Sequence, residues 1–188
     1  MALAGIRKLK RRMLSAEDLR TFMRLTRREK NDRVAAISIC GFLDYLLQAG
    51  IGLALPNQTA ALTLFEDRGL LESFGAKIVM GHALGLYGKQ TRRNLDILRQ
   101  VRNLFAHDIS SFTFATPEIA HACRELVIPA VREGSPVTVP DLRSDLSPRD
   151  RYVFTALEMG WGLAMNSVFG PGPHWEGEPG ETKINLLP

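Results

Sequence analysis

Residues 31–55 read NDRVAAISICGFLDYLLQAGIGLAL, and Pro56 follows. Asn31 offers a side-chain acceptor for the free N–H groups of a helix start. From Val34 to Leu55 the only charged residue is Asp44. A helix that is apolar nearly all round has to be enclosed by other elements. Pro56 lacks an N–H and ends it. One enclosed helix predicts a layer of others around it, so the fold expected is all-α, a single-domain helical bundle of about seven helices.

The flanking sequence supplies those helices. Ser15 with Asp18 is a capping-box-like start, and Leu19, Phe22, Met23 and Leu25 give its helix an apolar stripe to about Glu29. Ala60 to Glu66 predicts a short helix and Glu66 to Glu72 a loop. Ser73 opens FGAKIVMGHALGLYG, a mostly apolar helix ending at Gly88, with Gly81 and Gly85 on one stripe where a neighbour can approach closely. Residues 90–107 form a strongly amphipathic helix, and SSFTFAT reads as an extended or turn segment. Thr116 before Pro117 starts another helix, expected to run to about Glu133. Residues 134–144 read as a loop. Ser147-Pro148-Arg149-Asp150 starts the last helix, whose segment Tyr152 to Phe169 reads as a buried helix or an oligomer face rather than a membrane span. Residues 1–14 read as a basic flexible arm, 15–169 as the all-α domain, and 170–188 as a flexible Gly- and Pro-rich tail.

Length and composition agree with a globular chain: 188 residues, 45% apolar and 23% charged. The net charge of +4 is unevenly placed. Met1 to Arg33 holds eleven Lys and Arg against four Asp and Glu, or +7, and the remainder is −3. The arm residues Arg7, Lys8, Lys10, Arg11 and Arg12 are candidates for binding RNA or DNA through phosphates, set against a solvated terminus. Cys40 and Cys123 sit among apolar residues and read as buried thiols in a reducing cytoplasm. Residues 6–13 are basic with no apolar run behind them, unlike a secretory signal. His82, His107, His121 and His174 lack metal-ligand spacing, and there is no Walker motif, G-x-G-x-x-G or helix-turn-helix. No metal, cofactor or membrane partner is expected.

One constellation bears chemistry. On the 90–107 helix Ile97, Leu98, Val101, Leu104 and Phe105 fall on one arc, and Arg92, Asp96, Arg99, Arg102, Asn103 and His107 on the other. The opposite arc is expected to face solvent, a partner or a cleft. Arg102-Asn103-Leu104-Phe105-Ala106-His107 has the form R-N-x-x-x-H. Arg grips a phosphate, His moves a proton near neutral pH, and Asn orients either. These groups would suffice for metal-free RNA cleavage, with a two-fold dimer supplying the second His. Against this, a His in the last helical turn is also a favourable partner of the helix dipole, held by Asp108 or a carbonyl. Asp44, alone in its apolar stretch, needs a counterion. It is expected in a structural salt bridge to Arg33, Arg99 or Arg102, or else positioning Arg102. Lys77 reads as a snorkelling lysine and His82 as a satisfied core histidine.

The stretch LFEDRGLLESFGAKIVMGHALGLYG, residues 64–88, followed by LDILRQVRNLFAHDISSFTFATPEIAHACREL, residues 95–126, resembles the mannitol operon repressor family. The similarity covers roughly residues 31–133 and includes Asp32-Arg33, Asp44, Lys77, Arg99, Arg102-Asn103, Phe105-Ala106-His107 and Cys123. It departs at Arg68 to Gly75, where the family carries a Gly-Pro-Leu-Gly type turn. The resemblance implies an all-α regulator of transcription at a sugar-alcohol operon. The family lacks an obvious DNA-binding motif, so a protein partner is implied. The R-N-x-x-x-H segment also resembles that of the HEPN superfamily, helical dimers that include metal-independent ribonucleases, and this carries over only to Arg102, Asn103 and His107. A homodimer is expected on either reading.

Overall fold

A computed structural model describes residues 15–66, 68–107, 111–128 and 146–169. The arm residues Arg7, Lys8, Lys10, Arg11 and Arg12, the loop 134–144 and the tail 170–188 lie outside them. The described residues form an all-α fold of seven helices: α1 Ala16–Arg28, α2 Asp32–Ala54, α3 Gln58–Leu64, α4 Phe74–Ala83, α5 Lys89–His107, α6 Pro117–Arg124 and α7 Pro148–Phe169.

The helix starts follow from their caps. Asn31 Oδ1 accepts from Val34 N at 3.1 Å, Asn57 Oδ1 from Ala60 N at 3.0 Å, and Ser73 Oγ from Ala76 N at 3.1 Å. Ser147 Oγ accepts from Asp150 N at 3.1 Å and donates to the Asp150 carboxylate at 2.6 Å, which fixes the start of α7.

Two helices end earlier than their apolar patterns suggest. α4 stops at Ala83 instead of reaching Gly88, because Gly85 adopts a left-handed φ of 69° and Leu86 N closes back on Gly81 O at 3.0 Å. This is a Schellman-type ending. Gly85 is thus a terminator, and the space beside Gly81 holds the ring of Tyr87 instead of a neighbouring backbone. α6 stops at Arg124 instead of continuing to Glu133. Pro129 disfavours helix in the residue before it, and the Asn94 side chain claims Val127 at both of its backbone groups, Nδ2 donating to O at 2.6 Å and Oδ1 accepting from N at 3.1 Å.

α2 lies at the centre, packed most extensively on α7 and also on α5 and α4. α2 and α7 run parallel. Arg149 binds Asp32 and the Glu29 carbonyl, Tyr152 reaches the Ala36 carbonyl and Cys40, and Gly160 lies against Phe42, Leu43 and Leu46. A Cβ on Gly160 would meet Phe42 at 2.9 Å, so this glycine permits the close approach. Residues 152–160 are buried throughout, so α7 is enclosed within one chain over that stretch and needs no oligomer to cover it. α2 is the one described helix long and apolar enough to cross a membrane, and half of that stretch is buried in the fold. That pattern belongs equally to the core helix of a soluble protein.

Candidate functional site

The buried side of α5 consists of Thr91, Asn94, Leu95, Leu98, Val101 and Phe105. This arc is turned from the one expected. Leu104 is exposed and Ile97 half-buried, while Leu95 and the polar Asn94 lie deep. Asn94 is tolerated there because Val127 satisfies its amide.

The turn changes the meaning of the R-N-x-x-x-H segment. At 100° per residue Arg102 projects between the directions of Leu95 and Leu98, at the edge of the core. It is half-buried and lies near enough to Cys40 and Tyr152 to favour their ionised forms. Its Nη1 donates to Asn103 Oδ1 at 3.0 Å. His107 is exposed at the last residue of α5. Asp108, a potential holder of His107, lies outside the described residues. The structure pairs Arg102 with Asn103 and buries Arg102 by half while leaving His107 exposed, and their five-residue spacing sets them about 140° apart around the helix.

Asp44 does meet a cation, but it is Lys77. The ammonium donates to both carboxylate oxygens, at 2.8 and 2.9 Å. The Lys77 side chain is 4% exposed and that of Asp44 is 32% exposed, so this is a one-sidedly buried ion pair and Lys77 does not snorkel outward. Arg99 instead lies along Gly75, with Cδ and Nε 3.7 Å from where a Cβ would sit, and its Nε is 3.6 Å from Asp96 Oδ1. His82 is half-buried, its Nδ1 3.0 Å from the Tyr87 carbonyl oxygen, as a satisfied histidine should be.

Behind Arg102 is a buried polar hub. Tyr152 Oη lies 3.2 Å from Cys40 Sγ, and donates at 3.2 Å to Leu98 O or at 3.4 Å to Ala36 O. Burial pushes the Cys40 thiol up to about 12, against the opposing pull of the Tyr152 hydrogen bond and the Arg102 charge. Burial also raises Cys123 to about 12 and lifts Tyr152 well above its ordinary value. Both thiols are therefore protonated and unreactive near neutral pH. Sequence reasoning missed this hub. Its only signal was the phase match of Cys40 on α2 with Tyr152 on α7, which cannot be read without knowing that the two helices run parallel.

The site therefore offers one neutralised ion pair, two inert thiols, and a half-buried guanidinium with an amide partner. His107, one turn beyond Asn103, is exposed. No known family model, curated protein or solved structure matches this chain.

Proposed function

We propose that this chain is a non-enzymatic regulator of transcription of the mannitol operon repressor type, working in the cytoplasm as a homodimer through protein partners. The observation that carries the reading is the divergence of Arg102 and His107. Metal-free RNA cleavage needs the proton-moving imidazole and the phosphate-gripping guanidinium at one phosphate, each within hydrogen-bond reach of it. In one chain Arg102 is half-buried, lies near the Cys40 and Tyr152 hub and donates to Asn103, while His107 is exposed at the end of α5. That geometry suits a motif with a structural job at Arg102 and an exposed contact at His107.

The test is cleavage of RNA by the purified full chain in the presence of a chelator, beside Arg102→Ala and His107→Ala. The regulator reading expects no cleavage, a stability loss in Arg102→Ala and none in His107→Ala. In a reporter driven by a sugar-alcohol operon promoter it expects repression. Cleavage that vanishes in both variants while both stay folded would replace it with a HEPN-like ribonuclease completed across a dimer.

A further inference from the structure

We infer that the outward face of α1 is a binding surface for the phosphate backbone of a nucleic acid duplex. The inference goes beyond the regulator reading, which needs no direct contact with nucleic acid, and stands independently of it.

α1 is two-sided, although Leu25, expected on its apolar stripe, is exposed. Leu19, Met23 and Thr26 are buried, and the Phe22 ring stacks on Phe42 with centroids 4.4 Å apart. Arg20, Arg24, Arg27 and Arg28 follow at i, i+4, i+7 and i+8, which places them on one stripe facing away from the core. All four are exposed. Among the described residues none of them is ion-paired: the described salt bridges involve Lys77, Arg93, Arg99, His121 and Arg149. Glu17 accepts from Thr21 Oγ1 at 3.3 Å, and Arg24 reaches the same hydroxyl at 3.4 Å. Arg27 lies 5.6 Å over the Phe154 ring, an ordering contact that leaves its charge in place.

The dimensions fit a polyphosphate. From Arg20 to Arg28 the helix rises about 12 Å, and a duplex presents one charge per ~1.7 Å of axis. The row therefore faces about seven phosphates. Four guanidiniums on one helix face can each fork onto a phosphate. An anionic membrane is the poorer partner. A helix that lies in a bilayer surface needs its apolar face free to enter the acyl boundary, and that face of α1 is committed to α2 and α7. Among the described residues no polar helix lies beside the row, so contacts from the row itself go to phosphates and carry no sequence information.

The experiment is a titration of the full-length protein with labelled duplexes of arbitrary sequence, one DNA and one RNA, between about 50 and 200 mM salt. The variant Arg20→Gln/Arg24→Gln/Arg28→Gln keeps the aliphatic stems, and a triple Arg→Lys variant keeps the charge. Wild type should bind, and the slope of log affinity against log salt should shrink by roughly 2.7 in the Gln variant, about 0.9 for each phosphate no longer neutralised. The Lys variant should keep the slope. Binding to DNA, to RNA or to both identifies the source of the phosphates and supports the inference alike. It is overturned if wild type binds neither duplex at low salt. It is overturned equally if the Gln variant, folded by its helicity and melting temperature, binds with an unchanged slope. Competition by phosphatidylserine vesicles or by an acidic polypeptide as strong as by duplex would assign the row to a different partner. A wild type that fails to bind leaves repression in the reporter assay untouched, so the two ideas fail separately.

Discussion

Lys77 Nζ sits 2.8 Å from Asp44 Oδ1, joining α4 to α2, and the two ends of the pair are unequally buried. Removing either partner strands the other, but the stranded group differs. Asp44→Ala leaves an ammonium in the core and should cost about 3 kcal/mol, near the lower bound for an uncompensated buried charge. Lys77→Met leaves a carboxylate that is one-third exposed and should cost roughly 1 kcal/mol, since water reaches it. Urea midpoints would show the order. Equal losses would mean that the burial asymmetry is unimportant. The double variant Asp44→Leu/Lys77→Met should recover much of the loss, as apolar replacements of buried pairs do.

Asn94 closes the end of α6 through two bonds to one residue, Val127. Asn94→Ala should cost about 2 kcal/mol, because it leaves a backbone donor and acceptor partly buried. Asn94→Asp should cost more than Asn94→Ala, since a carboxylate oxygen would then oppose the Val127 carbonyl. Amide exchange at Val127 is the local readout, and it should accelerate in both variants. Protection at Val127 equal to wild type would show that another group holds this segment.

The thiols make a prediction about alkaline pH. In the folded chain Cys40 and Cys123 keep their protons to about 12, whereas an exposed thiol releases its proton near 9.0. The unfolded state therefore gains stability relative to the folded one as pH rises through that window. Stability should be intact below pH 9 and decline from 9 toward 12. Cys123→Ala should decline less steeply than wild type over the same range, measured by denaturant midpoints. The same burial should make both thiols slow to react with a disulfide reagent under native conditions. Rapid labelling of Cys40 would contradict its enclosure.

Gly81 tests the close packing behind α4. A Cβ there would lie 2.7 Å from Tyr87 Oη and 2.9 Å from its Cε1. The ring cannot simply retreat, because Tyr87 Oη donates to Ile78 O at 2.7 Å. Gly81→Ala should cost about 2 kcal/mol by overpacking, despite the better helix propensity of Ala. In a Tyr87→Leu background the same change should be close to neutral. If Gly81→Ala is neutral on its own, the ring has room that the geometry denies it.

What could be read in the sequence was what is local. Asn31, Ser73 and Ser147 announce helix starts through their own side chains, and Pro117 and Pro148 through a fixed φ. The enclosure of α2 followed from composition, whereas for α7 composition left a buried helix or an oligomer face, and its packing on α2 decides for burial over residues 152–160. What could not be read depended on two segments at once. The buried arc of α5 is set by α2 and by the Asn94 clamp on Val127, so counting apolar residues misplaced Leu104 and put Arg102 on the wrong side. Asp44 visibly needed a cation, but the choice of Lys77 over the arginines required the packing of α4 on α2. The end of α4 at Ala83 turned on the left-handed conformation of Gly85, which a string of apolar residues conceals.

The bond from Arg151 Nη1 to the Leu126 carbonyl, at 3.2 Å, ties the first turn of α7 to the second residue beyond α6. Together with the grip of Arg149 on Asp32, it fastens both sides of the connection spanning residues 129–145. These bonds hold α7 to the segment after α6 and to α2 through residues outside that connection. Doubling its length should raise the closure entropy by only about 0.6 kcal/mol. It is accordingly the seam at which an epitope or a reporter domain could be spliced into this protein with the seven-helix body left whole.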